Sequence, residues 1–96
     1  MTTLQPEKWV SLYADYLLRY AMFRLNDMTV CEDLVQETFL SALRAKDQFK
    51  GNSSEKTWLT SILKNKIIDV YRKERKSKER LNEIEFSIFF DQADEE

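Results

Sequence analysis

The stretch "FKGNSSEKTWLTSILKNKIIDVYRKERK" (residues 49–76) predicts a turn followed by a long helix. Gly51 is the one glycine of the chain, and glycine readily takes the left-handed backbone conformation that ends helices and makes turns. The asparagine and two serines that follow it are common in loops and at helix N-caps. A helix is then predicted from about Glu55 to near Arg80, with a buried face formed by Leu59, Ile62, Leu63, Ile67 and Val70.

Two further helices are predicted upstream of this stretch. Residues 6–26 begin with a proline suited to a first helical turn, and one face carries Trp9, Leu12, Tyr13, Tyr16, Leu17, Tyr20 and Phe23. A second helix is predicted to begin at Thr29, which forms a capping-box pattern with Glu32. Its predicted buried face consists of Leu34, Val35, Thr38, Phe39, Ala42 and Leu43. We therefore expect an all-α fold, a compact three-helix bundle, with a fourth helix if the apolar residues 84–90 form one.

The composition excludes several classes of function. The 96 residues fit one domain, and a single glycine and a single proline disfavour an all-β fold. Without histidine and with one cysteine, the usual structural zinc sites and histidine-based catalytic triads are excluded. No converging acid, base and nucleophile can be placed, so we expect neither an enzyme nor a metal or other cofactor.

The cysteine count and the hydropathy pattern indicate a compartment. The lone Cys31 has no partner for an internal disulfide, which is typical of a reducing environment. The sequence has no apolar signal region at its start and no apolar run near 20 residues. These patterns predict a cytoplasmic protein that does not enter a membrane.

The charges are strongly segregated along the chain. The net charge of −2 is the sum of −3 over residues 1–43, +7 over residues 44–80 and −6 over residues 81–96. A basic helix next to a polar loop suits the phosphate backbone of nucleic acid, although a charged run can also be a solvated surface. The loop and the helix start add hydrogen-bonding groups and one aromatic face that could read an unstacked base: Asn52, Ser53, Ser54, Thr57, Trp58 and Asn65.

Two of these features have a simpler interpretation. Trp58 lies about 40° outside the apolar arc of its predicted helix, so it can be either a stacking platform or a core residue. Leu40 is an apolar residue on an otherwise polar face with Asp33, Gln36 and Glu37. A single exposed leucine is common, but these neighbours also make it a candidate centre of a partner surface.

The segment from residue 32 to residue 76 resembles region 2 of bacterial RNA polymerase sigma factors, in the extracytoplasmic-function group. The matching parts are "DLVQETFL" (33–40), "FKG" (49–51) and "TWLTSILKN" (57–65), in that order and at that spacing. The first predicted helix also fits the family in placement, so the resemblance covers about residues 9–80. It implies a sigma factor domain that docks on core polymerase and recognises and melts the −10 promoter element.

The resemblance also implies roles for individual residues. Asp33, Gln36, Glu37 and Leu40 would dock on the clamp helices of the largest polymerase subunit. The loop of residues 51–56 would capture a flipped base of the non-template strand, with Asn65 on the unpaired strand. The residues expected at the DNA are Asn52, Ser53, Ser54, Lys56, Trp58, Ser61, Lys64, Asn65, Lys66, Arg72, Lys73, Arg75 and Lys76.

The resemblance further implies a domain organisation and additional partners. Residues 1–80 would form the region 2 domain, and residues 81–96 would be an acidic and aromatic linker or tail. Family members carry a second helical domain that reads the −35 element, and we expect it to be absent from this chain. An anti-sigma protein is a further implied partner. The alternative is a helical protein–protein interaction module that binds no DNA and whose basic face is merely solvated.

Overall fold

Three α-helices make up most of the computed structural model, which describes residues 4–78 and their side chains as far as residue 75. Helix α1 is Trp9–Met22, helix α2 is Met28–Arg44 and helix α3 is Glu55–Lys78. Short 3-10 helices stand at Pro6–Lys8 and Lys46–Gln48. The predicted all-α class and three-helix bundle are confirmed for this part of the chain. The predicted fourth helix and tail within residues 81–96, and the side chain of Lys76, lie outside the described residues.

Contacts between the helix ends fix the direction of each helix. Trp9, at the start of α1, meets Glu55 at the start of α3. At the other end of the bundle the Tyr71 hydroxyl of α3 donates a hydrogen bond to the carbonyl of Arg24, just after α1. Helices α1 and α3 therefore run in the same direction. Phe39, late in α2, stacks on Trp9, so α2 runs antiparallel to both.

The core lies where the three helices face one another. Its fully buried side chains include Trp9 and Leu17 of α1 together with Leu59, Leu63 and Ile67 of α3. Helix α2 contributes Cys31, Val35, Thr38 and Ala42. The buried Thr38 hydroxyl donates to the Leu34 carbonyl at 2.8 Å, so its polar group is satisfied within the helix. These residues follow the helical spacing that the sequence predicted.

The buried cysteine has a thiol of low reactivity. Burial first, and then the nearby carboxylates of Asp27 and Glu32, raise the pKa of the Cys31 thiol. Because the thiolate is the reactive form, a raised pKa and a closed environment make Cys31 a structural core residue.

Three residues predicted to be buried are exposed instead. Leu12 is 57% exposed, because it lies on the edge of α1 that neither neighbouring helix covers. Phe23 is 79% exposed, because α1 ends at Met22 and the chain then turns towards α2. Leu43 is 43% exposed beside the equally exposed Leu40, near the end of α2. The periodic pattern overestimated the width of the buried faces at these edges.

Two helix starts also differ from the prediction. The carboxylate of Asp27 accepts a hydrogen bond from the amide of Val30 at 3.2 Å, so Asp27 is the N-cap of α2 and the predicted Thr29 capping box is wrong. The predicted first helix is divided, since the segment Pro6–Lys8 forms a 3-10 turn before α1 begins.

No helix among residues 4–78 is long and apolar enough to cross a membrane.

Candidate nucleic-acid interface

The loop between α2 and α3 depends on one glycine. Gly51 has a φ of +77°, in the left-handed region that other residues rarely adopt. A Cβ built at this position would meet no atom within 4 Å, so backbone conformation and not crowding selects glycine. Gly51 thus lets the chain reverse direction after Phe49 and deliver an exposed Asn52 at the tip.

The hydroxyl groups of the loop serines form hydrogen bonds within the protein. The Ser54 hydroxyl oxygen accepts from the amide of Thr57 at 3.1 Å and lies 3.1 Å from the Thr57 hydroxyl. This is the arrangement of an N-cap, as predicted from the sequence. The Ser53 hydroxyl donates a hydrogen bond to the carbonyl of the next residue, Ser54, at 3.4 Å. Asn52 is exposed and, unlike Ser54, does not serve as the N-cap of α3.

Trp58 is half-buried and belongs to an aromatic cluster. Its ring lies 5.0 Å from that of Phe49 and meets the ring of Trp9 edge-on at 6.2 Å. The indole packs against the core and keeps some exposed surface, so the core interpretation is confirmed in part and the stacking role stays a prediction. Its larger effect is to anchor the loop entrance, because Phe49 rests on it.

The outer face of α3 carries a stripe of predicted DNA-binding residues. With about 100° of rotation per residue, Trp58, Ser61 and Arg72 lie within about 40° of Asn65 around the helix axis. Ser61, Asn65 and Arg72 are exposed, and the buried Leu63 lies about 160° away. The Ser61 hydroxyl donates to the Trp58 carbonyl at 2.7 Å, which leaves its oxygen free to accept a hydrogen bond.

Basic side chains flank this stripe on both sides. Their rows lie about 80–100° from Asn65, with Lys66 and Lys73 on one side and Lys64 and Arg75 on the other. Lys73 is exposed and the other three are half-buried. The stripe thus has hydrogen-bonding groups and the Arg72 guanidinium along its centre, with further positive charge along its edges.

Among the described residues of the predicted set that lie on α3, Lys56 is the one that is not brought to this stripe or its edges. It lies about 180° from Asn65 around α3. Its ammonium stands 4.1 Å from the centre of the Tyr16 ring, in cation–π contact with α1. The structure therefore places Lys56 on the side of α3 that faces α1.

Glu55 is a residue that the sequence did not single out. Its carboxylate accepts hydrogen bonds from the amide of Gln5 at 2.6 Å, the Trp9 indole N–H at 3.0 Å and the Tyr13 hydroxyl at 3.3 Å. Burial first, and then the charge and hydrogen bond of Glu55, raise the pKa of the Tyr13 phenol. No sequence signal connects donors that lie more than 40 residues away from their acceptor.

The second predicted surface lies on α2. Asp33, Gln36, Glu37 and Leu40 are all exposed, and helical rotation places them within an arc of about 100°. Leu40 is 47% exposed, and the exposed Leu43 one turn later enlarges the apolar part of this face. The face therefore combines carboxylates, an amide and two leucines, a mixture that suits a protein partner better than an anionic one.

No group of three or more residues able to hold a metal ion occurs within residues 4–78.

Comparison with known proteins identifies similar sequences. A family model for sigma-70 region 2 matches residues 9–77. A probable RNA polymerase sigma factor of Haemophilus influenzae is 50% identical over 56 residues, which is 58% of this chain and 29% of that protein. The ECF RNA polymerase sigma factor SigX of Bacillus subtilis is 36% identical over 78 residues, which is 78% of this chain and 40% of SigX.

A third similar protein gives the same result. The RNA polymerase sigma factor YlaC of Bacillus subtilis is 37% identical over 68 residues, which is 68% of this chain and 39% of YlaC. The matches thus span between 29% and 40% of the length of these three relatives. No solved structure gives a significant match to the chain.

Proposed function

Because the chain belongs to the sigma-70 region 2 family, in its extracytoplasmic-function group, we propose that it supplies the promoter-opening part of a sigma factor. In this role it docks on core RNA polymerase and recognises and melts the −10 promoter element. The observation that carries the proposal is the exposed stripe of α3, which has the Gly51 loop at one end, Asn65 at its middle and Arg72 beyond.

The loop and the α3 stripe contact different parts of the unpaired strand. A base that leaves the duplex enters the loop near Asn52, and Asn65 hydrogen-bonds the strand where it follows α3. An amide side chain offers both donors and an acceptor, so Asn65 can match the edge of a base. Ser61 adds an acceptor one turn earlier.

Arg72 and the flanking basic rows hold the strand without reading it. Arg72 and Lys73 are exposed, and cations of this kind contact phosphates whatever the sequence between them. Attraction to phosphate also keeps the separated strand on α3 after the base pairs break. Affinity should therefore depend on salt, whereas base preference should depend on the loop and Asn65.

The free energies of base extrusion and stacking indicate that the domain needs a second attachment, to core polymerase. Extruding one base costs a few kcal/mol, and stacking on protein returns about 1–3 kcal/mol per base. One small interface thus cannot open a duplex by itself. The α2 surface of Asp33, Gln36, Glu37 and Leu40 provides the anchor by docking on the clamp helices of the largest polymerase subunit, and Leu43 extends it.

Other parts of the proposal follow from the assignment. The chain performs no reaction of its own, because the chemistry of RNA synthesis belongs to the polymerase. Its working place is the cytoplasm, where polymerase and promoter DNA meet. An anti-sigma protein that covers either surface would block the function.

The direct test uses the chain together with core polymerase. Fluorescence anisotropy measures its binding to a promoter fork whose −10 non-template strand is unpaired, and to the same sequence fully paired. We expect tight binding to the fork, which the Asn65→Ala variant weakens. A helical module that binds only protein would join core polymerase yet leave the affinity for both DNAs unchanged, and this result would reject the proposal.

A further inference from the structure

One carboxylate joins the beginning of α3 to the beginning of α1. Glu55 Oε2 accepts from the Gln5 amide at 2.6 Å and from Trp9 Nε1 at 3.0 Å, while Oε1 accepts from the Tyr13 hydroxyl at 3.3 Å. Glu55 is the first residue of α3, so it also marks the downstream end of the loop. The downstream end of the loop is therefore held in place by three hydrogen bonds to Glu55.

The upstream end of the loop is held by the same structural unit. Phe49 packs on Trp58 at 5.0 Å, and Trp58 meets Trp9 at 6.2 Å. Trp9 is only 1% exposed and also donates to Glu55. Both ends of the five-residue loop 50–54 thus converge on one buried indole.

A loop fixed at both ends has lost part of its conformational freedom before a ligand arrives. Binding to such a loop costs less ordering entropy, and this gain is the basis of preorganisation. We propose that Glu55 is a positioning residue that holds the loop in the shape that receives the unpaired base. This inference rests on the function proposed for the loop and assigns to Glu55 no contact with DNA.

The hydrogen bonds to Glu55 suggest a substitution that tests its role with little change in side-chain size. A carboxylate has two accepting oxygens, whereas the glutamine amide has one oxygen and one NH₂ group that donates. In Glu55→Gln the side chain keeps its size, but its NH₂ must face either the Tyr13 hydroxyl or the pair formed by Gln5 and Trp9. When the NH₂ faces Tyr13 it can donate to the hydroxyl oxygen, which reverses that hydrogen bond. In either orientation the negative charge that strengthens the hydrogen bonds disappears.

The experiment compares four variants in complex with core polymerase. The probe is a fluorescent promoter fork with an unpaired −10 strand, prepared as a set that carries each of the four bases at every unpaired position. Glu55→Gln is the test, and Glu7→Gln is the matched control, because Glu7 is exposed at the same end of the molecule. Asn65→Ala reports on the proposed function itself, and Tyr13→Phe removes only one donor to Glu55.

We expect Glu55→Gln to weaken fork binding about tenfold, because neutral hydrogen bonds replace the stronger ones to a charged carboxylate. It should also flatten the preference among bases at the captured position, with affinity for core polymerase unchanged. Tyr13→Phe should produce a smaller change in the same direction, and Glu7→Gln none. If Glu55→Gln is not folded at the assay temperature, Tyr13→Phe decides the question alone.

The outcomes separate this inference from the function on which it rests. Normal fork affinity and base preference in Glu55→Gln, with weak binding in Asn65→Ala, would overturn the inference and keep the function. A parallel loss of DNA and core affinity would mean that Glu55 serves general stability, and would also overturn it. No effect of any variant, Asn65→Ala included, would reject both.

Discussion

Asn65 and Arg72 lie on the same exposed line of α3, seven residues and about 10 Å apart. The core faces the opposite side of the helix, where Leu63 and Ile67 are fully buried. A DNA strand that follows α3 from the Gly51 loop therefore meets the amide first and the guanidinium after it. This order underlies the predictions that follow.

Replacing Asn65 by alanine should weaken binding to the unpaired −10 strand about tenfold, because one side chain with paired hydrogen bonds contributes about 1–3 kcal/mol. Folding should be unaffected within about 0.5 kcal/mol, since the side chain is exposed. Fork binding and urea unfolding measure the two effects. The control is Asn26→Ala, an exposed asparagine between α1 and α2. Equal effects of the two variants on fork binding would contradict the assignment.

Truncating Leu40 to alanine should reduce affinity for core polymerase and leave binding to single-stranded DNA unchanged. The reason is that Leu40 lies at the centre of the α2 surface and buries apolar area only when a partner covers it. Leu12→Ala is the matched control, because Leu12 is an exposed leucine on α1. Titration of the labelled chain with core polymerase gives the first affinity, and titration with single-stranded DNA gives the second. The α2 surface would be misassigned if Leu12→Ala weakened docking more than Leu40→Ala.

Neutralising Arg72 and Lys73 together as glutamines should make fork binding less sensitive to salt. Each phosphate contact contributes about 0.7–0.9 to the slope of log K against log salt, so the slope should fall by about 1.4–1.8. The control double variant, Lys8→Gln with Arg19→Gln, removes the same charge from exposed sites on the N-terminal part. An identical slope for both double variants would show that general charge, and not the α3 face, attracts the DNA.

Raising the pH above 10 should destabilise the fold in part through two tyrosines. Burial raises the pKa of both Tyr13 and Tyr71, so the unfolded chain loses these phenolic protons at lower pH than the folded chain. The stability that they contribute is complete below about pH 10 and is lost as pH rises through the raised values. Urea unfolding at pH 9 and pH 11 should therefore show a smaller loss for the Tyr13→Phe, Tyr71→Phe double variant than for the native chain. An equal or larger loss would contradict this account.

Helix content and the main core residues could be predicted from periodicity alone. Leu59, Leu63 and Ile67 recur at steps of four, and such steps define one face of a helix whatever packs against it. The exposed positions of Asn65 and Leu40 followed from the same rotation. Local spacing was sufficient wherever a residue lies near the middle of a face.

Features that depend on the ends and edges of helices could not be predicted in this way. Leu12 and Leu43 have the spacing of core residues, but whether a neighbouring helix covers them depends on how the helices pack. Asp27 and Thr29 are both good N-caps, and the backbone conformation decided between them. The role of Glu55 required three donors from a distant segment, which no local pattern encodes.

Site-specific photocrosslinking tests the central claim most directly, because it identifies what each face touches in the complex with core polymerase and fork DNA. A photoreactive amino acid placed at Ser61, beside Asn65, should crosslink to the non-template strand. The same probe at Gln36 should crosslink to the largest polymerase subunit, and at Leu12 to neither. Adducts of the Ser61 probe with protein alone, together with adducts of the Gln36 probe with DNA, would contradict the proposed division of labour between α3 and α2.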